Sequence, residues 1–301
     1  MSGPRAAILI LAVVVLLFSL WMAVGRDLWA ARKAERTEQD AKALYYSDAG
    51  FNPLSYLFPI SLAEEAIATP EPSEPPIHED FLALYEANPH IVGWLKAAPN
   101  IDYPVVQSDN IFYLDHDYYG KKDVNGTLFL NEFNTLDPLD DVLLIHGHNM
   151  KSGAMFGDLS FYEGFDFTCH NPLITFRTAK DPKDVYYVPV FAFNASMDPN
   201  ANGYFNIGQM SFLDDLPGTT PTPDSQTTRQ SAAFQEYLDQ LSEVSLWQAP
   251  TDVTVDDKLM MLVTCSYYHD DGRFMLVCRR LRAEETPEEM VELYLTACTP
   301  S

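Results

Sequence analysis

The sequence predicts a mostly β fold with added helices, a closed or nearly closed barrel rich in antiparallel pairs. Two observations carry this. Short runs rich in β-branched and aromatic residues recur from Tyr103 to Arg280, separated by Gly, Pro, Asn and Asp turn signals. Helical spacing appears only in isolated segments, so the helices should pack on a barrel rather than alternate with its strands.

The elements follow in chain order. From Ala6 to Val24 there are 19 residues without charge and with Ser19 alone polar, a helix of roughly 28 Å at 1.5 Å per residue. That length crosses a bilayer core and exceeds a secretory h-region, so an uncleaved signal anchor is expected over residues 1–25. Arg26, Arg32, Lys33 and Arg36 follow the span while Arg5 precedes it, so the positive-inside count favours the opposite orientation to an external catalytic domain. Residues 26–43 read as a helix of mixed charge. Thr69-Pro70-Glu71-Pro72-Ser73-Glu74-Pro75-Pro76 is a linker, because its prolines break helix and no core offsets its ordering entropy. Together 26–76 would hold the globular part, 77–301, off the membrane.

A helix is expected from His78 to Asn88 with Phe81, Leu82, Leu84 and Tyr85 as its apolar face. Strands are expected at Tyr103–Gln107, Gly126–Leu130, Asp141–His146, Leu173–Arg177, Asp184–Phe193, Leu259–Cys265 and Arg273–Arg280. Ser211–Arg229, with Pro-Gly and Thr-Pro-Thr-Pro, reads as a loop. Ser231–Ser245 carries Phe234, Tyr237, Leu238 and Leu241 at helical spacing and should pack on the barrel. A last helix, Pro287–Ala297, is capped by Thr286, carries Glu288 and Glu289 in its first turn, and turns Met290, Leu293 and Tyr294 inward.

Composition bounds the function. The 301 residues are 47% apolar, enough for a real core, and 43 acidic against 19 basic residues give a formal charge of −24. Such a charge excludes nucleic acid as a partner.

Chemistry concentrates near the last two strands. Cys265 closes Leu262-Val263-Thr264-Cys265 and Arg273 opens the next strand, with Ser266 to Gly272 between them. In an antiparallel hairpin the thiol and the guanidinium emerge together at one rim. Upstream, Val142-Leu143-Leu144-Ile145 ends in His146-Gly147-His148-Asn149-Met150, which delivers two imidazoles to a loop. A neighbouring cation raises the thiolate fraction of a cysteine, a guanidinium donates to an oxyanion without deprotonating, and an imidazole can protonate a leaving amine. The implied reaction is acyl transfer through a thioester, and it needs no cofactor.

At these residues the chain resembles the sortases, and within them class B. The resemblance rests on Leu262-Val263-Thr264-Cys265, Gly272-Arg273-Phe274, Ile145-His146-Gly147-His148-Asn149-Met150 and Met155-Phe156-Gly157-Asp158-Leu159. It extends to Asn88-Pro89-His90-Ile91-Val92-Gly93-Trp94-Leu95, Ile101-Asp102-Tyr103-Pro104-Val105-Val106-Gln107 and Tyr113-Leu114-Asp115-His116-Asp117-Tyr118-Tyr119-Gly120, and so covers roughly residues 77–283. It implies a sortase-like barrel with an N-terminal helix, a helix before the last two strands, and an external domain. It also implies Cys265 as nucleophile, His148 rather than His146 as acid/base, and Arg273 as oxyanion and substrate clamp. Asn131 stands where an aspartate is common and Val263 where a small polar residue often precedes the Thr-Cys pair. With Thr264 they are the expected substrate-binding positions. The implied partners are secreted proteins with a C-terminal sorting signal and an amine on peptidoglycan or a pilin, in a Gram-positive bacterium.

Other readings compete. Water as acceptor would make a secreted cysteine hydrolase, and an inert triad would leave an anchored binding module. The L,D-transpeptidases place histidine close before the cysteine and arginine two after it, unlike Thr264-Cys265-Ser266-Tyr267. Cys278 lies in an apolar run and should be core, and Cys169 and Cys298 are expected to be structural or incidental, with no disulfide framework. His116 among acids reads as a surface hydrogen-bonding residue, not a metal ligand, and Arg279, Arg280 and Arg282 as a solvated strand end.

Overall fold

A computed structural model describes residues 32–33, 35–46, 77–137, 139–181, 183–201, 203–205, 223–266 and 272–299, with 223–231 and 266 described by backbone alone. The expected anchor at 6–24 and the proline linker at 69–76 lie outside the described residues. Among the described residues no helix is long and apolar enough to cross a membrane.

Eight strands close into a barrel in the order β1-β2-β3-β4-β7-β8-β6-β5. They are β1 (Ile91–Ala97), β2 (Ile101–Gln107), β3 (Leu128–Leu130), β4 (Val142–His146), β5 (Ile174–Thr178), β6 (Val185–Ser196), β7 (Leu259–Ser266) and β8 (Gly272–Arg280). Pairing is antiparallel except at β2/β3 and β4/β7, which are parallel. Closure leaves no unpaired edge for another chain to join. The expected mostly β barrel with added helices is therefore the observed fold. Strand β1, Ile91–Ala97, falls outside the seven runs read from β-rich composition. Gly93 and Lys96 interrupt its apolar run, and Gly93 is required by contact: a Cβ there would lie 2.5 Å from the Arg177 carbonyl oxygen.

One apolar cluster fills the barrel, among it Leu95, Tyr103, Leu128, Ile145, Phe176, Leu262 and Leu276. A second lies outside β4, β7 and β8 under α4 (Pro223–Val244), where Phe234, Tyr237, Leu238 and Leu241 are buried as their spacing predicts. Helix α4 begins eight residues before the expected Ser231. Proline is tolerated in a first helical turn, where its missing N–H costs no bond, so Pro223 starts the helix instead of ending a loop. Helix α2 (Leu82–Ala87) follows a 3-10 turn at Glu79–Phe81. Only Phe81 and Leu84 of its expected face are buried, while Leu82 and Tyr85 are 48% and 41% exposed, because a single i,i+3 line suffices to cover β1 and β2.

Helix α5 (Pro287–Cys298) carries a full capping box between Thr286 and Glu289, and Met290 and Tyr294 are buried as expected. It packs on α3 (Phe165–His170), and there the structure corrects two readings. Cys169 and Cys298 form a disulfide across 129 residues, with Cα atoms 6.1 Å apart. Sequence spacing could not show that the two helices meet. Arg279 is likewise no solvated strand end. It is fully buried and held by Glu285 through two bonds of 2.7 and 2.8 Å and by Thr251 at 3.1 Å. Arg282 pairs with Asp257 and Asp252, so the strand end is a salt-bridged junction.

A bridge closing so long a loop stabilises by about 2–4 kcal/mol, and a domain of this size loses about 2–4 °C of Tm per kcal/mol. Cys298→Ser should therefore melt roughly 5–15 °C below wild type in non-reducing calorimetry, with reduced wild type falling to the variant's value. Equal melting of oxidised wild type and variant would remove the bridge.

Candidate active site

Strand alternation decides which side chains reach the rim. On β7, Met260 and Leu262 enter the barrel core while Leu259, Met261 and Val263 face α4. On β8, Phe274, Leu276 and Cys278 point in and Met275 and Val277 out, and on β4, Leu143 and Ile145 point in and Val142 and Leu144 out. A period of two then puts His146, Cys265 and Arg273 on the outer face, beyond the last contacts under α4.

Cys265 and Arg273 are directly paired across β7 and β8, as expected from their spacing. Cys265 is exposed and lies outside any disulfide. Parallel pairing sets His146 of β4 opposite Val263, and the Gly147 N–H donates to the Val263 carbonyl at 3.1 Å. Two residues further along each chain, His148 meets Cys265, and the imidazole is hydrogen-bonded to the thiol. Only glycine fits between the two histidines: a Cβ at Gly147 would lie 2.4 Å from a Leu128 methyl and 2.7 Å from the Phe156 ring.

The imidazole is fixed from its far side. His148 Nε2 donates to the Leu114 carbonyl at 2.6 Å, which leaves Nδ1 for the thiol. The hydrogen bond with Cys265 lifts the His148 pKa above its ordinary 6.5, against burial, helped by the Leu114 carbonyl and by the negative charge of Cys265 and Asp115. The thiol and the carbonyl therefore favour the charged form of the ring. Asn149 donates from Nδ2 to the Cys265 carbonyl at 2.7 Å and so ties the histidine loop to the cysteine strand.

His146 is the opposite case. Burial and then the charge of Arg273 push its pKa down to about 4, so it is neutral near pH 7. It stacks on Phe129 and accepts at Nε2 from the Asn131 amide at 3.3 Å. Asn131 also accepts from the Phe133 N–H at 3.1 Å, so both ends of its amide build the rim. Val263 and Thr264 are 3% and 2% exposed, with their side chains inside the structure.

Sequence reasoning assigned no role to Leu114, Asp115 or Asn149. Asn149 adjoins His148 and could have been flagged by position. Leu114 acts through its backbone carbonyl, for which side-chain identity carries no signal. His116 bonds to the Phe112 carbonyl at 2.8 Å and to Asp115 at 2.7 Å, as a surface histidine. Cys278 is fully buried, and burial pushes its thiol pKa well up.

No family model matches the chain. It is 28% identical to Sortase B of Listeria monocytogenes over 267 residues, covering 87% of this chain and 90% of that protein. With Sortase B of Staphylococcus aureus it shares 25% identity over 210 residues, 68% of this chain and 76% of that one. Among solved structures it superposes on sortase B of Bacillus anthracis in complex with AAEK1 with a TM-score of 0.61 and 20% identity, over 85% of this chain and 99% of that one. The Staphylococcus aureus sortase B–substrate complex gives a TM-score of 0.54 and 22% identity, over 69% and 87%. The chain is similar to class B sortases in sequence and shares their fold.

Since the bond to Cys265 is the largest cause of the raised His148 pKa, its removal leaves burial, which acts the other way. Followed by NMR, the His148 ring should titrate above 6.5 in wild type, staying charged to higher pH, and should shift downward in Cys265→Ala. An unchanged midpoint would show that the thiol and the imidazole are not coupled.

Proposed function

We propose that this chain, sortase-like in sequence and fold, is a class B sortase-type cysteine transpeptidase acting on a protein with a C-terminal sorting signal. The observation that carries the proposal is the single rim that holds Cys265, His148 and Arg273.

The Cys265 thiolate attacks the carbonyl of a threonine in the signal. Electrons move onto the carbonyl oxygen, and the Arg273 guanidinium stabilises that charge. Collapse breaks the peptide bond, His148 gives its proton to the leaving amine, and a thioester remains on Cys265. An incoming amine from peptidoglycan or a pilin lysine then loses a proton to His148 and displaces the thiolate. One amide is broken and one is made, so no cofactor is needed. Asn131 lies on the rim where the signal would be read, with Val263 and Thr264 beneath it.

The domain would work outside the membrane of a Gram-positive bacterium, attached through residues 1–25, with 26–76 leading to the catalytic domain. The uncharged run from Ala6 to Val24 and the Cys169–Cys298 disulfide, a bond of oxidising compartments, support this location. Protease treatment of intact cells should remove the domain, and its survival would refute the external location.

Incubation of the full chain with a panel of sorting-signal peptides and an amine acceptor should yield a transpeptidated product by mass spectrometry. Cys265→Ala should abolish it, and Arg273→Lys should lower kcat by about 10²–10³, since lysine cannot reproduce the fork of donors. Turnover retained without Cys265 would sink the assignment.

A further inference from the structure

Residues 32–33 and 35–45 are helical, together called α1 here; they precede the linker and yet lie against both loops that hold His148. The helix is seated on β1 and β2. Ala41 is 1% exposed, Tyr45 stacks on Trp94 with centroids 4.2 Å apart and planes at 9°, and Lys42 Nζ lies 3.2 Å from Asp102. From this seat two contacts reach toward the site.

The first is Lys33. Its ammonium donates to the Lys122 carbonyl at 2.8 Å and lies 2.8 Å from Asp123 and 3.5 Å from Asp117, whose side chains are only 3% and 5% exposed. These three residues belong to the loop 112–127, which carries Leu114. The loop is tightly knit. Asp123 N–H donates to the Asp115 carbonyl at 2.8 Å, Thr127 N–H to the Tyr113 carbonyl at 3.0 Å, and a Cβ at Gly126 (φ 61°) would lie 2.9 Å from the Leu114 oxygen. A shift at Asp123 therefore reaches the carbonyl that holds His148 Nε2. The second contact is Glu38. It lines one cavity together with the buried Tyr103 and with Met155. Met155 is bridged to Asn149, and the next residue, Phe156, donates to the His148 carbonyl at 2.9 Å.

We propose that α1 is a positioning element of the active site, in which Lys33 and Glu38 brace the loops 112–127 and 147–158 so that His148 stays between the Leu114 carbonyl and the Cys265 thiol. The proposal rests on the transpeptidase reading of Cys265 and His148. It makes Lys33 a counter-ion whose loss leaves two nearly buried carboxylates facing each other. The loop then relaxes, and the general acid is misplaced rather than removed.

The test uses the full chain and the variants Lys33→Gln, Glu38→Gln and Lys33→Arg, with Arg36→Ser, an exposed position on the same helix, as control. Against the signal peptide that wild type accepts, Lys33→Gln and Glu38→Gln should lower kcat by about tenfold with KM within about twofold, because misplaced groups cost turnover more than binding. Lys33→Arg should restore kcat, and Arg36→Ser should match wild type. A fall in Tm with kcat unchanged, or a rise in KM alone, would overturn the brace.

NMR titration of His148 supplies a readout independent of turnover, so the brace is decided even if wild type shows no transpeptidation. Removing the positive charge of Lys33 would by itself raise the pKa of His148. Loss of the bonds to Leu114 and Cys265 would lower it, Asp115 being the other charge that faces the ring. A downward shift in Lys33→Gln therefore supports the brace, and an upward shift or none overturns it.

Discussion

The register of β7 between β4 and β8 is the constraint on which the rest of the structure depends. Cys265 opposite Arg273 on one side and Val263 opposite His146 on the other fix three chemical groups at one rim. A slip of one residue would turn Cys265 into the barrel and Thr264 out to solvent. Two apolar faces prevent it. Met260 and Leu262 fit the interior and Met261 and Val263 fit beneath α4, so the strand is buried on both sides and every side chain has one place. The near-continuous apolar run Leu259–Val263 is what such a central, doubly covered strand requires. The parallel pairing of β4 with β7 also demands a long crossover, and α3, β5, β6 and α4 all lie within it.

On this frame, charge is distributed so that only one of two neighbouring histidines ionises easily. His146 lies inside the rim beside Arg273, where burial and a like charge both favour the neutral ring. His148 stands at the opening against a thiol, a carbonyl and Asp115, all of which favour the cation. The two rings are two residues apart in sequence and titrate in opposite directions because their partners differ. Arg273 therefore stands beside a neutral ring rather than an imidazolium, and His146 with Asn131 becomes part of the wall.

Much of the fold and most of the site were legible because local patterns decide them. β-rich runs bounded by turn signals located seven of the eight strands, the Thr286 cap located α5, and Cys265, His148 and Arg273 lie at strand ends whose spacing is written in the chain. What stayed hidden depends on pairing over long distances or on backbone atoms. The Cys169–Cys298 bridge needs α3 and α5 to meet across 129 residues. Arg279 looks like a surface cation in a basic cluster until Glu285 folds back to form its buried fork. The Leu114 carbonyl is a group every residue carries. The helical start at Pro223 was hidden for another reason: the same proline that ends a helix is tolerated at its first turn.

The four cysteines show how one chain can keep a disulfide and an exposed thiol apart. Cys169 and Cys298 are joined because the packing of α3 on α5 brings their Cα atoms to 6.1 Å, within the range a bridge needs. Cys278 is sealed in the barrel interior, one strand away from Cys265 but on the opposite face by alternation, and burial keeps it a thiol. Cys265 is thus the one exposed thiol, and no other cysteine of the chain is placed to capture it. The phase of the strands keeps it at the rim, and α3 and α5 are stapled by a bond that needs oxidation to form. Strand phase and helix packing therefore act together: the first isolates the Cys265 thiol, and the second brings Cys169 and Cys298 within reach of each other.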